Sequence, residues 1–274
     1  MYEVGLSSCA FPLNDESFKK LQQSGISAIE VCMAADKYSS INYKELSELS
    51  KRYNVKLWSY HLPFMPFDYI DISSLDSEMR ERTVALYTTM IERATDIGID
   101  KFIVHPSGEP IPDSERPERL KYSMQTLDRL AEIADRHGAV IAVEDLPRSC
   151  LGNTADEILR LISANDKLRV CFDSNHLLKD TNLNFIKKIS DKIVTVHISD
   201  YDFIDEKHWL PGEGLVDWAK VLGALRQADY RGVWMYEILL TSPKTLTRSR
   251  NLTFDDFRNN ATAIFEGKTP ERIL

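Results

Sequence analysis

Cysteine is scarce: Cys9, Cys32, Cys150 and Cys171 are widely separated in 274 residues, and no two stand in C-x-x-C spacing. That scarcity excludes a disulfide framework and a cysteine-rich zinc module, and it points to a reducing compartment. Long hydrophobic runs are missing too. Nothing approaches the roughly 20 apolar residues that span a bilayer, and Met1-Tyr2-Glu3-Val4-Gly5-Leu6 has neither a basic nor an apolar leader region. A cytoplasmic protein without a membrane partner is expected. Positive charge is also short, with 34 Lys and Arg against 42 Asp and Glu and a formal charge of −8. This is the wrong sign for gripping nucleic acid by a general basic surface, so no nucleic acid partner is expected. Glycine and proline number only 11 each, which leaves no linker or low-complexity tract. After the first apolar run comes Cys9-Ala10-Phe11-Pro12 rather than G-x-G-x-x-G, so a dinucleotide-binding sheet lacks its phosphate loop.

What is present is a regular alternation. Short apolar runs at Glu3–Ser8, Ala28–Cys32, Lys56–His61, Lys101–His105, Val140–Glu144, Arg169–Asp173, Ile193–His197 and Gly232–Ile238 read as strands. Between them, helical patterns cover Asp15–Ser24, Tyr43–Arg52, Ser77–Gly98, Pro117–His137, Thr154–Ser163, Leu183–Ile189 and Trp218–Asp229, with Phe254–Phe265 last. In the fourth, Leu120, Met124, Leu127, Leu130 and Ile133 make an apolar face that Gly138 stops. Asn153-Thr154-Ala155-Asp156-Glu157 carries a capping side chain followed by acids in the first turn. Strict βα alternation with strands buried on both faces implies a parallel sheet, and eight repeats imply closure. The expected fold is α/β, a single (β/α)8 TIM barrel formed by one domain over residues 1–274.

A barrel of this kind works at the C-terminal edge of its strands. The residues at those ends are Ser7 or Ser8, Glu30, His61, His105, Glu144, Asp173, His197 and Glu237, all polar and most of them metal-capable. Any one of them alone is readily a satisfied polar group closing the barrel. For Glu144, Asp173, His197 and Glu237 together, carboxylates meeting at one rim would repel unless protonated or bridged by a cation. A divalent metal (manganese, magnesium, cobalt or zinc) is the economical explanation. His137, in a last helical turn before Gly138, is given no functional role.

The set Glu144 in Val-Glu-Asp-Leu-Pro-Arg148, Asp173-x-x-His176, His197-Ile-Ser-Asp200, Leu210-Pro211-Gly212-Glu213-Gly214 and Tyr236-Glu237 resembles the sugar phosphate isomerase/epimerase group of the xylose-isomerase-like TIM barrels. The resemblance covers nearly the whole chain. It implies a single-metal site of Glu144, Asp173, His197 and Glu237, with Glu144 and Glu237 as the acid/base pair. It also implies an isomerase or epimerase acting on a sugar or related polyol through an enediolate, with a dehydratase of the inosose type as the alternative. His176 is similar to the substrate-hydroxyl contact of the ketose epimerases, and His61, His105, His208, Glu206 and Arg148 are the other expected substrate contacts. One position departs, because Phe203 stands where those epimerases carry an arginine.

Endonuclease IV, a zinc phosphodiesterase on the same barrel, offers a competing resemblance. His61, His105, Glu144, Asp173, His176, His197, Glu206, His208 and Glu237 can be laid onto its trinuclear site one by one. The acidic net charge and the lack of basic mouth loops count against it. Two loops carry further expectations. Leu62-Pro63-Phe64-Met65-Pro66-Phe67 is apolar enough to wall the pocket or to meet a second subunit in a homo-oligomer. Lys244, Arg248 and Arg250 read as a solvated basic loop, with a substrate phosphate as the other reading.

Overall fold

The computed structural model describes residues 1–273, which form one eight-stranded parallel sheet with helices outside it. The strands are β1 (Val4–Ser7), β2 (Ala28–Val31), β3 (Lys56–His61), β4 (Lys101–Val104), β5 (Val140–Glu144), β6 (Arg169–Asp173), β7 (Ile193–His197) and β8 (Trp234–Tyr236). Each pairs with its sequence neighbour, and β1 pairs with β8 at Val4 and Trp234. The ring closes through an isolated bridge between Ile198 and Tyr236, where Ile198 N–H donates to Met235 O at 2.8 Å. The expected (β/α)8 barrel is the observed fold.

Helices α1 (Asp15–Gln23), α2 (Tyr43–Tyr53), α3 (Ser77–Thr95), α4 (Arg116–Arg136), α5 (Ala155–Ile162), α6 (Asn182–Ile189), α7 (Trp218–Gln227) and α8 (Phe254–Phe265) follow the strands in turn. Their starts are chemically marked. Asn14, Asn42, Asp76, Thr154, Thr181 and Asp217 each accept a backbone N–H of the first turn through the side chain, which satisfies a donor that has no intrahelical partner. The expected end of α3 at Gly98 lies three residues too far, since the last helical residue is Thr95. Gly98 is instead the left-handed residue beyond the end, with φ +89°. Its N–H donates to Thr95 O at 2.9 Å and that of Ile99 to Ala94 O at 3.2 Å, the paired bonds that close a helix on glycine. Gly138 closes α4 in the same way, with His137 as the C-cap.

β8 is shorter than expected. Its link to the β7 side is the isolated bridge between Tyr236 and Ile198. Glu237 follows just past the strand, where its N–H donates to Ile198 O at 3.4 Å and the residue lines the cavity at the mouth. Strand residues Leu6, Ile29, Phe102, Ile141, Phe172, Trp234 and Tyr236 are fully buried, against helix residues such as Phe18, Leu127, Phe185 and Phe257. This continuous core fixes where the strands end, and so where their terminal side chains meet.

The N-terminus of α8 yields a prediction. Asp256 accepts Thr253 N–H at 2.7 Å, Thr253 Oγ1 at 2.8 Å and both Arg250 Nη groups at 2.7 and 2.8 Å. The Arg250 bond, with the cap bonds from Thr253, holds its carboxyl down at about 2, below the roughly 3.9 of an unfolded chain. The stabilisation is therefore complete above the unfolded value and is lost as pH falls through the folded one. Arg250 is 51% exposed, so solvent screens the pair. Asp256→Asn is expected to flatten the acid limb of stability between about pH 4 and 2 by about 1 kcal/mol. Urea unfolding at several pH values checks this, and parallel wild-type and variant curves would count against it.

Candidate active site

The C-terminal strand ends deliver Glu30 (β2), His61 (β3), Glu144 (β5), Asp173 (β6) and His197 (β7) to one buried cluster, with His105 and Glu237 from the residues just after β4 and β8. Glu144 is its hub. Its Oε2 lies 3.1 Å from His61 Nε2 and 3.1 Å from His105 Nε2, while Oε1 lies 2.9 Å from His197 Nδ1. His197 Nδ1 also lies 3.4 Å from Glu237 Oε2 and 3.8 Å from Asp173 Oδ2. Glu144, Asp173, His197 and Glu237 each offer one ligand atom, and these four atoms lie within 4.8 Å of one another. Asp173 Oδ2 is buried without a hydrogen-bond partner among the described residues. A carboxylate oxygen left bare in a dry site is costly unless a cation takes it up. The donor set of three carboxylates and one imidazole suits a divalent cation, so the residues fit one.

The electrostatics follow from crowding. Burial alone would raise the Glu144 carboxyl, but the charge of His197 and then of His105 outweighs it and holds Glu144 well below the usual range. Burial also pushes Asp173 up, to about 6, with His176 acting against it. Burial would lower His61, yet its bond to Glu144 and that carboxylate's charge lift it to about 9. His105 stays low because burial dominates there.

The histidines share an arrangement that the sequence did not disclose. His61 Nδ1 faces Leu62 O at 2.8 Å, His176 Nδ1 faces Asp145 O at 2.8 Å and His208 Nδ1 faces Glu237 O at 3.1 Å. A carbonyl oxygen only accepts, so each Nδ1 carries the proton and donates it. Nε2 is then left to face inward: that of His176 lies 3.4 Å from Glu206 Oε2. His176, Glu206 and His208 form a second group whose ligand atoms lie within 4.8 Å, and His61, His105 and Glu144 form a third.

Arg148, expected to touch substrate, is already engaged. Its Nε and Nη2 donate to Glu109 at 2.6 and 2.7 Å, Nη1 to Asp205 at 2.8 Å and Nη2 also to Glu206 at 3.0 Å. It bridges three loops and holds Glu206 toward His176. The Glu206 carboxyl sits at about 2: burial opposes ionisation, and the His176 bond and charge together with Arg148 overcome it.

A cavity of about 350 Å³ opens beside Glu237, lined by Cys9, Lys207, His208, Leu239, Thr241 and Pro243. Larger clefts exist, one of about 510 Å³ at the N-terminal strand ends around Tyr2, Trp58 and Arg226, but none of the clustered carboxylates and imidazoles lines it. Phe64 stacks on His105 with ring centroids 4.1 Å apart and an angle of 19°, so the apolar loop after β3 walls the histidine side of the mouth. Phe203 is 47% exposed and packs on Tyr201 at 4.6 Å.

The basic loop after β8 is solvated as expected at Lys244 and Arg250, which are exposed, but not at Arg248. The Arg248 side chain is fully buried against Glu213, and Arg250 is occupied by Asp256. Neither is free for a phosphate, because each guanidinium already faces a carboxylate of its own chain. The Asp200 and Gly214 positions are explained as well. Asp200 accepts Gly212 N–H at 2.7 Å, Val216 N–H at 3.1 Å and Trp218 Nε1–H at 3.0 Å. A Cβ on Gly214 would collide with its Oδ1. The motif thus shapes the loop that carries Glu206 and His208 to the mouth. Among the described residues, no helix is long and apolar enough to cross a membrane.

An uncharacterised protein of Methanocaldococcus jannaschii is 30% identical over 243 residues, covering 84% of this chain and 82% of the relative. An inosose isomerase of Bacillus velezensis is 24% identical over 195 residues, covering 65% and 69%. The crystal structure of a D-tagatose 3-epimerase-like protein superposes with a TM-score of 0.82 at 26% identity over 97% of both chains. A family profile described as xylose isomerase-like TIM barrel matches residues 18–252. With the match spanning most of the barrel and the strand-end cluster inside it, this chain belongs to the xylose isomerase-like TIM barrel family.

Proposed function

We propose that the chain is a divalent-cation-dependent isomerase or epimerase of a sugar or sugar-like polyol. The observation that carries this reading is the meeting of Glu144, Asp173, His197 and Glu237 around the bare Asp173 Oδ2, beside a cavity of monosaccharide scale. Relatives named as an inosose isomerase and a D-tagatose 3-epimerase-like protein support the substrate class. Glu144, Asp173, His197 and Glu237 would hold the cation. When bound, it supplies Lewis-acid stabilisation of the oxyanion that develops beside the reacting carbon. Glu237, the most open of the three carboxylates, takes or returns the proton on the carbon next to the carbonyl, and Glu144 serves as its partner acid/base. Reprotonation on the opposite face gives an epimer; return to the neighbouring carbon gives the aldose–ketose isomer. His176 and His208, which pack edge to face, orient hydroxyls together with Lys207, which lines the cavity beside His208. Phe64 and the buried walls exclude water.

A solvent-deuterium assay over free and phosphorylated ketoses and inososes tests this, together with the metal content of the purified chain. Label entering at least one sugar and about one ion per chain are expected, with activity lost to a chelator and restored by the ion. A second reading, a multi-cation phosphodiester hydrolase, is favoured by one observation: the groups His61-His105-Glu144 and His176-Glu206-His208 also have converging ligand atoms. About three ions per chain, cleavage of abasic DNA and no label in any sugar would establish it instead.

A further inference from the structure

Glu30 is 0% exposed at the C-terminal end of β2. The register against β3 slips between Ile29 and Glu30, an irregularity of the kind that re-aims a side chain. Its Oε2 accepts Ser59 Oγ–H at 2.8 Å and lies 3.0 Å from His197 Nε2, while Oε1 is buried without a partner. Among the described residues no lysine or arginine pairs with it; its ion-pair partner is His197. Enclosing a carboxylate so deeply costs several kcal/mol, and Ser59 alone offsets little of that.

The other ring nitrogen, Nδ1, faces Glu144, Glu237 and Asp173 at 2.9, 3.4 and 3.8 Å. An imidazole between carboxylates on both sides has one proton to place when neutral. Kept on Nε2 and donated to Glu30 in a hydrogen bond, it leaves the Nδ1 lone pair pointing at the cation position. His61, His176 and His208 point Nδ1 at backbone carbonyls, whereas His197 points its Nε2 at a fully buried carboxylate. Such a pairing fixes the ring and raises the basicity of the ligating nitrogen.

We propose that Glu30 is a positioning residue: it accepts a hydrogen bond from His197 Nε2–H, holds the tautomer that frees Nδ1, and so sets the affinity of the site for its cation. This rests on the cation-dependent reading above. Mn²⁺ titrated calorimetrically into the metal-stripped full chain is expected to bind Glu30→Gln about 10- to 100-fold more weakly than wild type. The visible absorption band of the Co²⁺-loaded variant should shift, because the field at Nδ1 changes. The unfolding midpoint of metal-free Glu30→Gln reports any purely structural role, which would lower stability and leave both readouts alone. Equal Mn²⁺ affinity with an unchanged Co²⁺ band overturns the proposal, whatever happens to stability. Should Glu30→Gln not fold, Ser59→Ala loosens the same carboxylate and should weaken Mn²⁺ binding in the same direction; unchanged binding overturns the proposal. Wild-type protein that takes up no Mn²⁺ removes the cation-dependent reading and this inference together, whereas wild-type binding matched by the variants removes only the inference.

Discussion

Glu237→Gln is expected to lower the rate of solvent-proton exchange into the sugar by about 10²- to 10⁴-fold, the range that general acid–base catalysis contributes. Glu237 and Glu144 are proposed as the pair, but they are not equally good sites for the test. Glu144 sits beneath His61, His105 and His197, so neutralising it strands three imidazoles in a dry site and confounds chemistry with folding. The Glu237 side chain is 14% exposed, lines the cavity and stands 3.4 Å from His197 Nδ1. Burial pushes its carboxyl up, and the charge of His197 holds it below the ordinary value, so it rests as the base. Glutamine keeps its shape and removes both the basicity and one of the crowded negative charges. A carboxyl held below its ordinary value contributes stability as the anion, so the unfolding midpoint of the metal-free variant should fall modestly at neutral pH, while Mn²⁺ affinity falls by less than turnover does. Deuterium incorporation followed by NMR, with cation affinity measured on the same samples, separates the two effects. Exchange within tenfold of wild type at saturating Mn²⁺ would deny Glu237 a part in proton transfer.

The barrel and its rim were readable because the signals behind them are local. A buried parallel strand announces itself as an apolar run, and a polar residue that breaks the run lies at one edge of the sheet. Glu144, Asp173 and His197 each end such a run, and the order of the runs brings their ends together. What escaped the sequence depends on atoms far apart in the chain. Glu30 stood among the strand ends with no role, since nothing near it in sequence says that His197, 167 residues away, turns its Nε2 toward it. Arg148 looked available to a substrate because Glu109, Asp205 and Glu206 reach it from other loops. The end of α3 differs for a smaller reason: the helical pattern runs on in sequence through Gly98, whereas the closing bonds place that glycine beyond the end. Arg248 was the largest misreading, as a basic residue in a polar loop gives no hint of full burial.

That buried pair carries the largest expected effect on stability. Arg248 Nε and Nη2 donate to the Glu213 carboxylate at 3.0 and 2.9 Å, and Nη1 donates to Thr241 O at 3.3 Å. Glu213 Oε2 also accepts Leu210 N–H at 2.8 Å. Both side chains are fully buried, so the pair fastens the loop before α7 to the loop before α8. Arg248→Met would leave the Glu213 charge enclosed with one backbone N–H for company, at an expected cost of about 3–5 kcal/mol. Arg248→Met with Glu213→Leu should recover most of that loss, because the penalty belongs to the unpaired charge rather than to the missing attraction. Urea unfolding of the wild type and the three variants closes the cycle; a single-variant cost below about 1 kcal/mol would mean that solvent already reaches Glu213. The pair also bears on the site, since the two loops it joins supply Lys207 and His208 from one side of the cavity and Thr241 and Pro243 from the other. The double variant should therefore fold yet hold substrate loosely, with KM rising more than kcat falls, because the salt bridge fixes the distance between the two walls while Glu144 and Glu237 keep their own supports in the barrel.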